Sequence, residues 1–263
     1  MSNNNYISYS ELKDWVTCPF YHKLVHLDNL KSFKGNEYTA FGKAIHHVCE
    51  VHLLEESIDV KMGEFKKVLT EEANSVGVLL TEQSFDSMCS QANNIFKDVL
   101  PAMREYLNDD FEVIATEEPL MEPINHDELK DVVPHNFKGY IDLVLKTKSD
   151  QKYHILDWKT CTFGWLRDKK QDPNTVYQLT LYKHFYGQKH NIPAKQIETH
   201  FGLLKRTVKK DYVELFRVSN AAKRTNDALN LVVRAIKNME SGNFMKNKLS
   251  CPKCEFKKSV HCP

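Results

Sequence analysis

Apolar residues recur with a spacing of three and four in the first part of the chain, and with alternation further on. Phe41–Glu50, Met62–Asn74 and Ser84–Asn108 follow the helical period, the last two separated by Gly77 and polar residues. The segments 111–121, Phe137–Thr147 and Tyr153–Thr160 are rich in β-branched and aromatic residues and read as strands, and the polar link Lys148-Ser149-Asp150-Gln151 suits a hairpin turn. A helix over Thr175–His190, strands over Ile197–Thr207 and Asp211–Val218, and a long helix over Asn220–Glu240 complete the pattern. Near the start, Ser8-Tyr9-Ser10-Glu11 fits a capping box for a helix that closes at Cys18. This order predicts an α/β fold, a mixed sheet flanked by helices, with the two helices between 62 and 108 as a helical cap. The loop 122–136 either folds over a cleft or merely connects strands.

Composition adds limits. With 263 residues, 41% hydrophobic and 27% charged, the chain has enough apolar surface for a core, and no apolar run nears the roughly 20 residues of a membrane span. One unit over 1–263 is expected, with 1–110 helical, 111–240 the sheet core and 241–263 a cysteine-rich tail. The net charge of +1 hides a strong polarity: residues 1–142 hold 12 Lys or Arg against 25 Asp or Glu, and residues 143–263 hold 24 against 10. Such a chain can turn a basic groove toward phosphates while staying near neutral overall. Arg167-Asp168-Lys169-Lys170, Lys205-Arg206 and Lys209-Lys210 are candidate phosphate contacts, or simply solvated surface.

Candidate chemistry concentrates on the hairpin. Gly139-Tyr140-Ile141-Asp142 and Asp157-Trp158-Lys159 bring two carboxylates and an ammonium to neighbouring strands. Strand alternation puts Asp157 and Lys159 on one face with Trp158 on the other. Two carboxylates make a hard oxygen site for Mg²⁺ or Mn²⁺, and a lysine two residues away can orient water or offset charge on a phosphate. An ordinary half-buried hairpin with charges on its wet face explains the same residues equally well. Gly42, His46 and Glu50 recur every four residues on one helical face, where His46 is either a metal ligand or a packed core histidine. Gly42, costly inside a helix, suggests a close approach by a backbone or ligand. Gln178 and Tyr182 lie one helical turn apart and can grip a phosphate or base.

Taken in chain order, these residues resemble the RecB-like, Cas4-like branch of the PD-(D/E)XK nuclease superfamily. The shared pattern is a helical histidine (His46), a Gly-x-x-Asp strand ending in Asp142, an acidic-x-Lys strand (Asp157-Trp158-Lys159) and a Gln-x-x-x-Tyr helix (Gln178 to Tyr182). Asp157 stands where many relatives have glutamate. The resemblance implies a restriction-endonuclease-like core and metal ligation by His46, Asp142, Asp157 and the main-chain carbonyl of Trp158. It further implies that Lys159 serves the attacking water and that Gln178 and Tyr182 position DNA. Glu117 matches a frequent acidic position of the group, or is a solvated strand charge.

Seven cysteines, an odd count, follow a polar N-terminus Met1-Ser2-Asn3-Asn4-Asn5, so an intracellular, reducing setting is expected. Cys49, Cys89 and Cys161 read as small core hydrophobes. Cys251-Pro252-Lys253-Cys254 has the spacing at which two thiolates converge on one metal; Cys262 follows, and Cys18 is the best fourth ligand. In the Cas4, AddB and exonuclease V relatives, one early and three late cysteines hold a [4Fe-4S] cluster, so the resemblance implies one here. The gap from Cys254 to Cys262 is wider than the group's usual, and His261 keeps structural Zn²⁺ as the alternative; a tail that binds nothing is the third reading. The expected activity is a divalent-metal-dependent DNA nuclease, specifically a single-stranded exonuclease. The alternatives are a Cas4-like processing or recombination factor inside a larger complex and a catalytically idle DNA-binding accessory subunit.

Overall fold

The computed structural model describes residues 5–30 and 35–262; the polar stretch Met1–Asn4 of the N-terminus lies outside them. Among the described residues six strands form one mixed sheet: β1 (Tyr6–Ser8), β2 (Glu112–Pro123), β3 (Asn136–Lys146), β4 (Tyr153–Cys161), β5 (Ile197–Lys205) and β6 (Val213–Val218). The pairs β2–β3, β3–β4 and β5–β6 are antiparallel, whereas β1–β3 and β4–β5 are parallel. The expected hairpin is therefore present, with Leu143 opposite Leu156 and Lys146 opposite Tyr153. The parallel β4–β5 pair needs a crossover, and the helical segment between them supplies it.

Eight α-helices are present among the described residues: α1 (Tyr9–Thr17), α2 (Pro19–His22), α3 (Glu37–Val51), α4 (Ile58–Ser75), α5 (Glu82–Tyr106), α6 (Arg167–Gln171), α7 (Pro173–His190) and α8 (Ala222–Glu240). They sandwich the sheet. Phe41, Ile45, Phe65, Ile95 and Phe96 from α3–α5 pack with Leu143, Leu156 and Trp158 on one side. On the other side, Leu179 and Phe185 of α7 and Val232 and Ile236 of α8 pack with Phe137, Ile155 and Phe201. Helices thus cover both faces of the central strands, which is why most positions of β3–β5 are buried. None of the described helices is long and apolar enough to cross a membrane.

Three local expectations are refined. Ser8 does cap α1, accepting from the Glu11 N–H at 3.2 Å, but the Glu11 carboxylate pairs with buried His22 at 2.9 Å. Of the two expected cap helices, α4 carries Val68 and Glu72 to the wall of the site, while the buried residues of α5 share a core cluster with the sheet. The 122–136 loop connects strands on the α8 side: Ile124 and Leu129 enter the core, and Glu128 pairs with Lys237 at 2.9 Å. Strand β1, three residues long, carries too short a pattern to be read from sequence.

Candidate active site

Backbone pairing creates the site. β2 pairs with β3 along one edge; on the opposite edge, β1 takes Asn136–Lys138 and β4 takes Leu143–Lys146, so Gly139–Asp142 is left without a strand partner there. Beyond Leu143 and Leu156 the hairpin opens, and the Trp158 N–H donates to Asp142 Oδ2 at 2.7 Å instead of to a ladder carbonyl. β3 also changes its facing here: Ile141 packs on the α7 side and Leu143 on the α5 side, although residues two apart on a regular strand share a face. Across on β2, Glu117 adopts a left-handed backbone with φ of 49°, a conformation that costs a non-glycine residue roughly 1–2 kcal/mol. The irregularity centres on the acidic pair Asp142 and Glu117.

The side chains then converge. Asparagine and threonine caps at Asn36 and Thr39 start α3, which lays His46 against the opening with Nδ1 3.5 Å from Asp142 Oδ2. One turn on, Glu50 joins them: ligand atoms of His46, Glu50 and Asp142 lie within 4.8 Å of one another. Gly42 explains itself, since a Cβ there would stand 3.2 Å from Thr160 Oγ1 of β4; the close approach is to a strand side chain. Lys159 Nζ lies 2.6 Å from Asp157 Oδ2, and the Asp157 side chain is only 2% exposed. Asp157 thus sits deeper than the His46–Glu50–Asp142 group, tied to the lysine.

Electrostatics follow from crowding acids in a dry place. Burial, opposed by Lys159, raises Asp142 to about 6 and likewise Asp157 to about 6. Glu50 goes further, to about 8, through burial and then the charges of Glu117 and Asp142. His46 is pushed down to about 4 by burial, so its imidazole is neutral, the form that ligates metals. Burial works against the Lys159 ammonium, but Asp157 and Asp142 together outweigh it and raise its pKa. Such a set of mutually repelling hard oxygens beside a neutral imidazole fits a divalent cation, whose charge removes the repulsion.

Gln178 Nε2 donates to the Tyr182 hydroxyl at 3.2 Å, as the one-turn spacing suggests. Tyr182 is only 6% exposed, and its ring lies over Gly139: a Cβ at Gly139 would meet Tyr182 Cε1 at 2.7 Å. Two chambers flank the site and share Lys159 and Thr160. One, of 830 Å³, is acidic, walled by His46, Glu50, Glu72, Glu117 and Asp142. The other, of 910 Å³, is basic and aromatic, with Lys13, Lys138, Lys169, Tyr140, Trp165 and Gln178 in its wall. Lys138 stacks over Tyr6 and Lys169 over Trp165, each with Nζ 4.5 Å from the ring centre. Among the basic runs, Lys170 and Lys205 are engaged by Glu214, and Arg206 stacks on Tyr38. Glu50 was legible only as a face-mate of His46, and Glu117 only as an acidic position that the resemblance singled out.

The early cysteine meets the C-terminal tail. Cys18 sits between α1 and α2, where Sγ accepts from the Asn247 N–H at 3.3 Å, and Cys251 Sγ lies 3.8 Å from the Asn247 carbonyl. Cys254 and Cys262 pack around Phe256, Leu24 and Val25. Cys49 is buried, with Cys89 packed against the same cluster on the α5 side, and Cys161 packs on the α7 side, as expected of small apolar residues.

A mixed sheet opened at one point, with acids, an imidazole and a lysine in the opening, is the architecture of a metal-dependent phosphodiesterase. The family model of the PD-(D/E)XK nuclease superfamily matches residues 6–260, and the chain belongs to that superfamily, a metal-dependent nuclease of the hydrolase class. Its fold is similar to the crystal structure of a presumed exonuclease from Eubacterium rectale, with a TM-score of 0.60, 14% identity, and coverage of 97% of this chain and 88% of that chain. That likeness speaks to the fold alone. No curated protein matches the sequence.

Proposed function

We propose that this nuclease belongs to the RecB-like, Cas4-like branch and degrades DNA from single-stranded ends, with residues 1–263 working as one unit. The observation that carries the reading is the pair of chambers meeting at Lys159: cations and stackable rings on one side, a cation-ready acidic pocket on the other. Phosphates fit the lysines, and unpaired bases can stack on exposed Tyr140, whereas a duplex keeps its bases stacked on one another. Glu50 and Glu117 stand on the acidic side of the same opening.

His46, Asp142, Asp157 and the Trp158 carbonyl would hold Mg²⁺ or Mn²⁺, with Glu50 beside them. When bound, the ion supplies charge neutralisation for the phosphate and a more acidic water. Lys159 holds Asp157 ionised and offers its ammonium to the scissile phosphate or the water. The Trp158 N–H fixes the Asp142 carboxylate, and Tyr182, itself buried, holds the Gln178 amide at the chamber wall. Cys18, Cys251, Cys254 and Cys262 would hold a [4Fe-4S] cluster, or structural Zn²⁺, that clasps the termini. The π-helical turn Lys23–Leu27 packs on that clasp and also lines the basic chamber, so the clasp supports the chamber wall. Partners in recombination or end processing are compatible with this reading.

The deciding experiment is a nuclease assay on end-labelled and circular single-stranded DNA with Mg²⁺ or Mn²⁺, comparing wild type with Asp157→Ala and Lys159→Ala. Degradation of the linear substrate alone, abolished in both variants, is expected. Activity unchanged in both would sink the site assignment, and equal cutting of circles would sink the exonuclease reading. Visible absorbance with metal analysis separates iron from zinc in the clasp.

A further inference from the structure

A second group of metal-type ligands lies outside the nuclease site. Parallel pairing of β4 with β5 sets His154 against Glu198 and Leu156 against His200, so the three polar residues share the sheet face that α5 covers. His154 and His200 are buried, at 5% and 3% exposure. His154 Nδ1 lies 3.0 Å from His200 Nε2, and one ligand atom from each of His154, Glu198 and His200 lies within 4.8 Å of the others. We infer that His154, Glu198 and His200 form a second, structural cation site that takes a zinc-class divalent ion and pins β4 to β5.

The donor set selects the ion. Two imidazoles and one carboxylate suit Zn²⁺ and its first-row neighbours, while Mg²⁺ prefers oxygen throughout. Two nitrogens on one zinc sit roughly 3.3 Å apart in tetrahedral geometry, so the rings need move only a few tenths of an ångström. The outer nitrogens are provided for as well: His154 Nε2 faces Thr147 Oγ1 at 3.4 Å and His200 Nδ1 faces the Tyr106 hydroxyl at 3.1 Å. Hydroxyls that take up the outer N–H leave two lone pairs aimed at each other across the gap, a repulsion that a cation removes. Burial lowers the pKa of both rings, His200 to about 3, which keeps them in the neutral, ligating form.

A competing arrangement uses no ion. The Tyr106 hydroxyl can turn to donate to His200 Nδ1, leaving His200 Nε2–H to donate to His154 Nδ1. Glu198 Oε1 also meets Arg217 at 3.3 Å and Lys152 at 3.5 Å, so an ion must compete with two cations for this carboxylate.

The test uses the full chain, stripped with chelator and dialysed against Zn²⁺. Wild type should retain one zinc per chain more than His200→Gln and more than His154→Gln, with the same deficit when Asp142→Ala is also present. Zinc should raise the melting temperature of wild type more than that of either variant. Zinc-edge anomalous scattering from soaked wild-type crystals should place a peak between the two rings; this needs no variant and stands if one of them misfolds. Equal zinc stoichiometry, or a map with no peak there, would overturn the inference and leave the hydrogen-bonded pair. Neither result depends on nuclease activity.

Discussion

Replacing Asp142 by asparagine should stabilise the metal-free protein at neutral pH while removing its activity. The Asp142 side chain is 17% exposed, and burial has moved its pKa from 3.8 to about 6. With a raised carboxylate pKa the folded state binds the proton more tightly than the unfolded chain. The carboxylate therefore costs stability progressively as pH rises from about 4 to about 6, and the cost is constant above that. Two pKa units correspond to about 3 kcal/mol at pH 7, falling to about 1 kcal/mol near pH 4.5. An amide keeps an acceptor for the Trp158 N–H but adds donors of its own, which offsets part of the gain. We expect Asp142→Asn to be more stable than wild type by about 1–2 kcal/mol near pH 7.5, with the difference shrinking toward pH 4.5. Urea denaturation in chelator at both pH values measures this. Saturating Mg²⁺ should stabilise wild type by ligand linkage and the variant much less, and cleavage should fall at least about a hundredfold. A variant less stable than wild type at both pH values, by the same amount, refutes the argument that this carboxylate is held at an energetic cost for the sake of a cation.

Three further outcomes are expected. Lys159→Ala should lower the cleavage rate by about a hundredfold or more; because it leaves Asp157 buried without its partner, stability should drop most at neutral pH and recover as the carboxyl takes up a proton in acid, readable in paired melts. Gly202→Ala should cost about 1–3 kcal/mol by overpacking, since its Cβ would stand 2.3 Å from the Trp158 ring, and the displaced β4 backbone should reduce activity beyond the loss of fold; chemical denaturation and rates on the folded fraction check both. Tyr140→Ala should weaken single-stranded DNA binding by about 1–3 kcal/mol in fluorescence anisotropy with little effect on melting, because the ring is 55% exposed; unchanged affinity would remove Tyr140 from the strand path.

The candidate residues were readable along the chain because they sit on regular elements. His46 on a helix, Asp142 and Asp157 on an alternating hairpin, and Gln178 with Tyr182 one turn apart each follow from a local period; the structure sets His46 and Asp142 in one chamber and Gln178 with Tyr182 in the adjoining one. What the periods could not carry was depth. Asp157 and Tyr182 fall in the core and Glu50 reaches the surface of the acidic chamber, differences set by how α3 and α7 lie on the sheet. Gly139 and Gly202 look like ordinary strand glycines until Tyr182 and Trp158 are found pressed against them.

By itself the sequence determined the longer elements, the mixed α/β class and the order of chemistry-bearing residues, because helix and strand periods and turn chemistry act over a few neighbouring positions. Tertiary structure decided the rest: the gap that β1 and β4 leave along β3, the left-handed Glu117 opposite Asp142, and the meeting of Cys18 with the 245–262 tail. It also decided the joining of His154 to Glu198 and His200 across strands 40 or more residues apart. Each of these depends on which strand edge pairs with which and on how closely layers pack, contacts between residues far apart in the chain that no local pattern records.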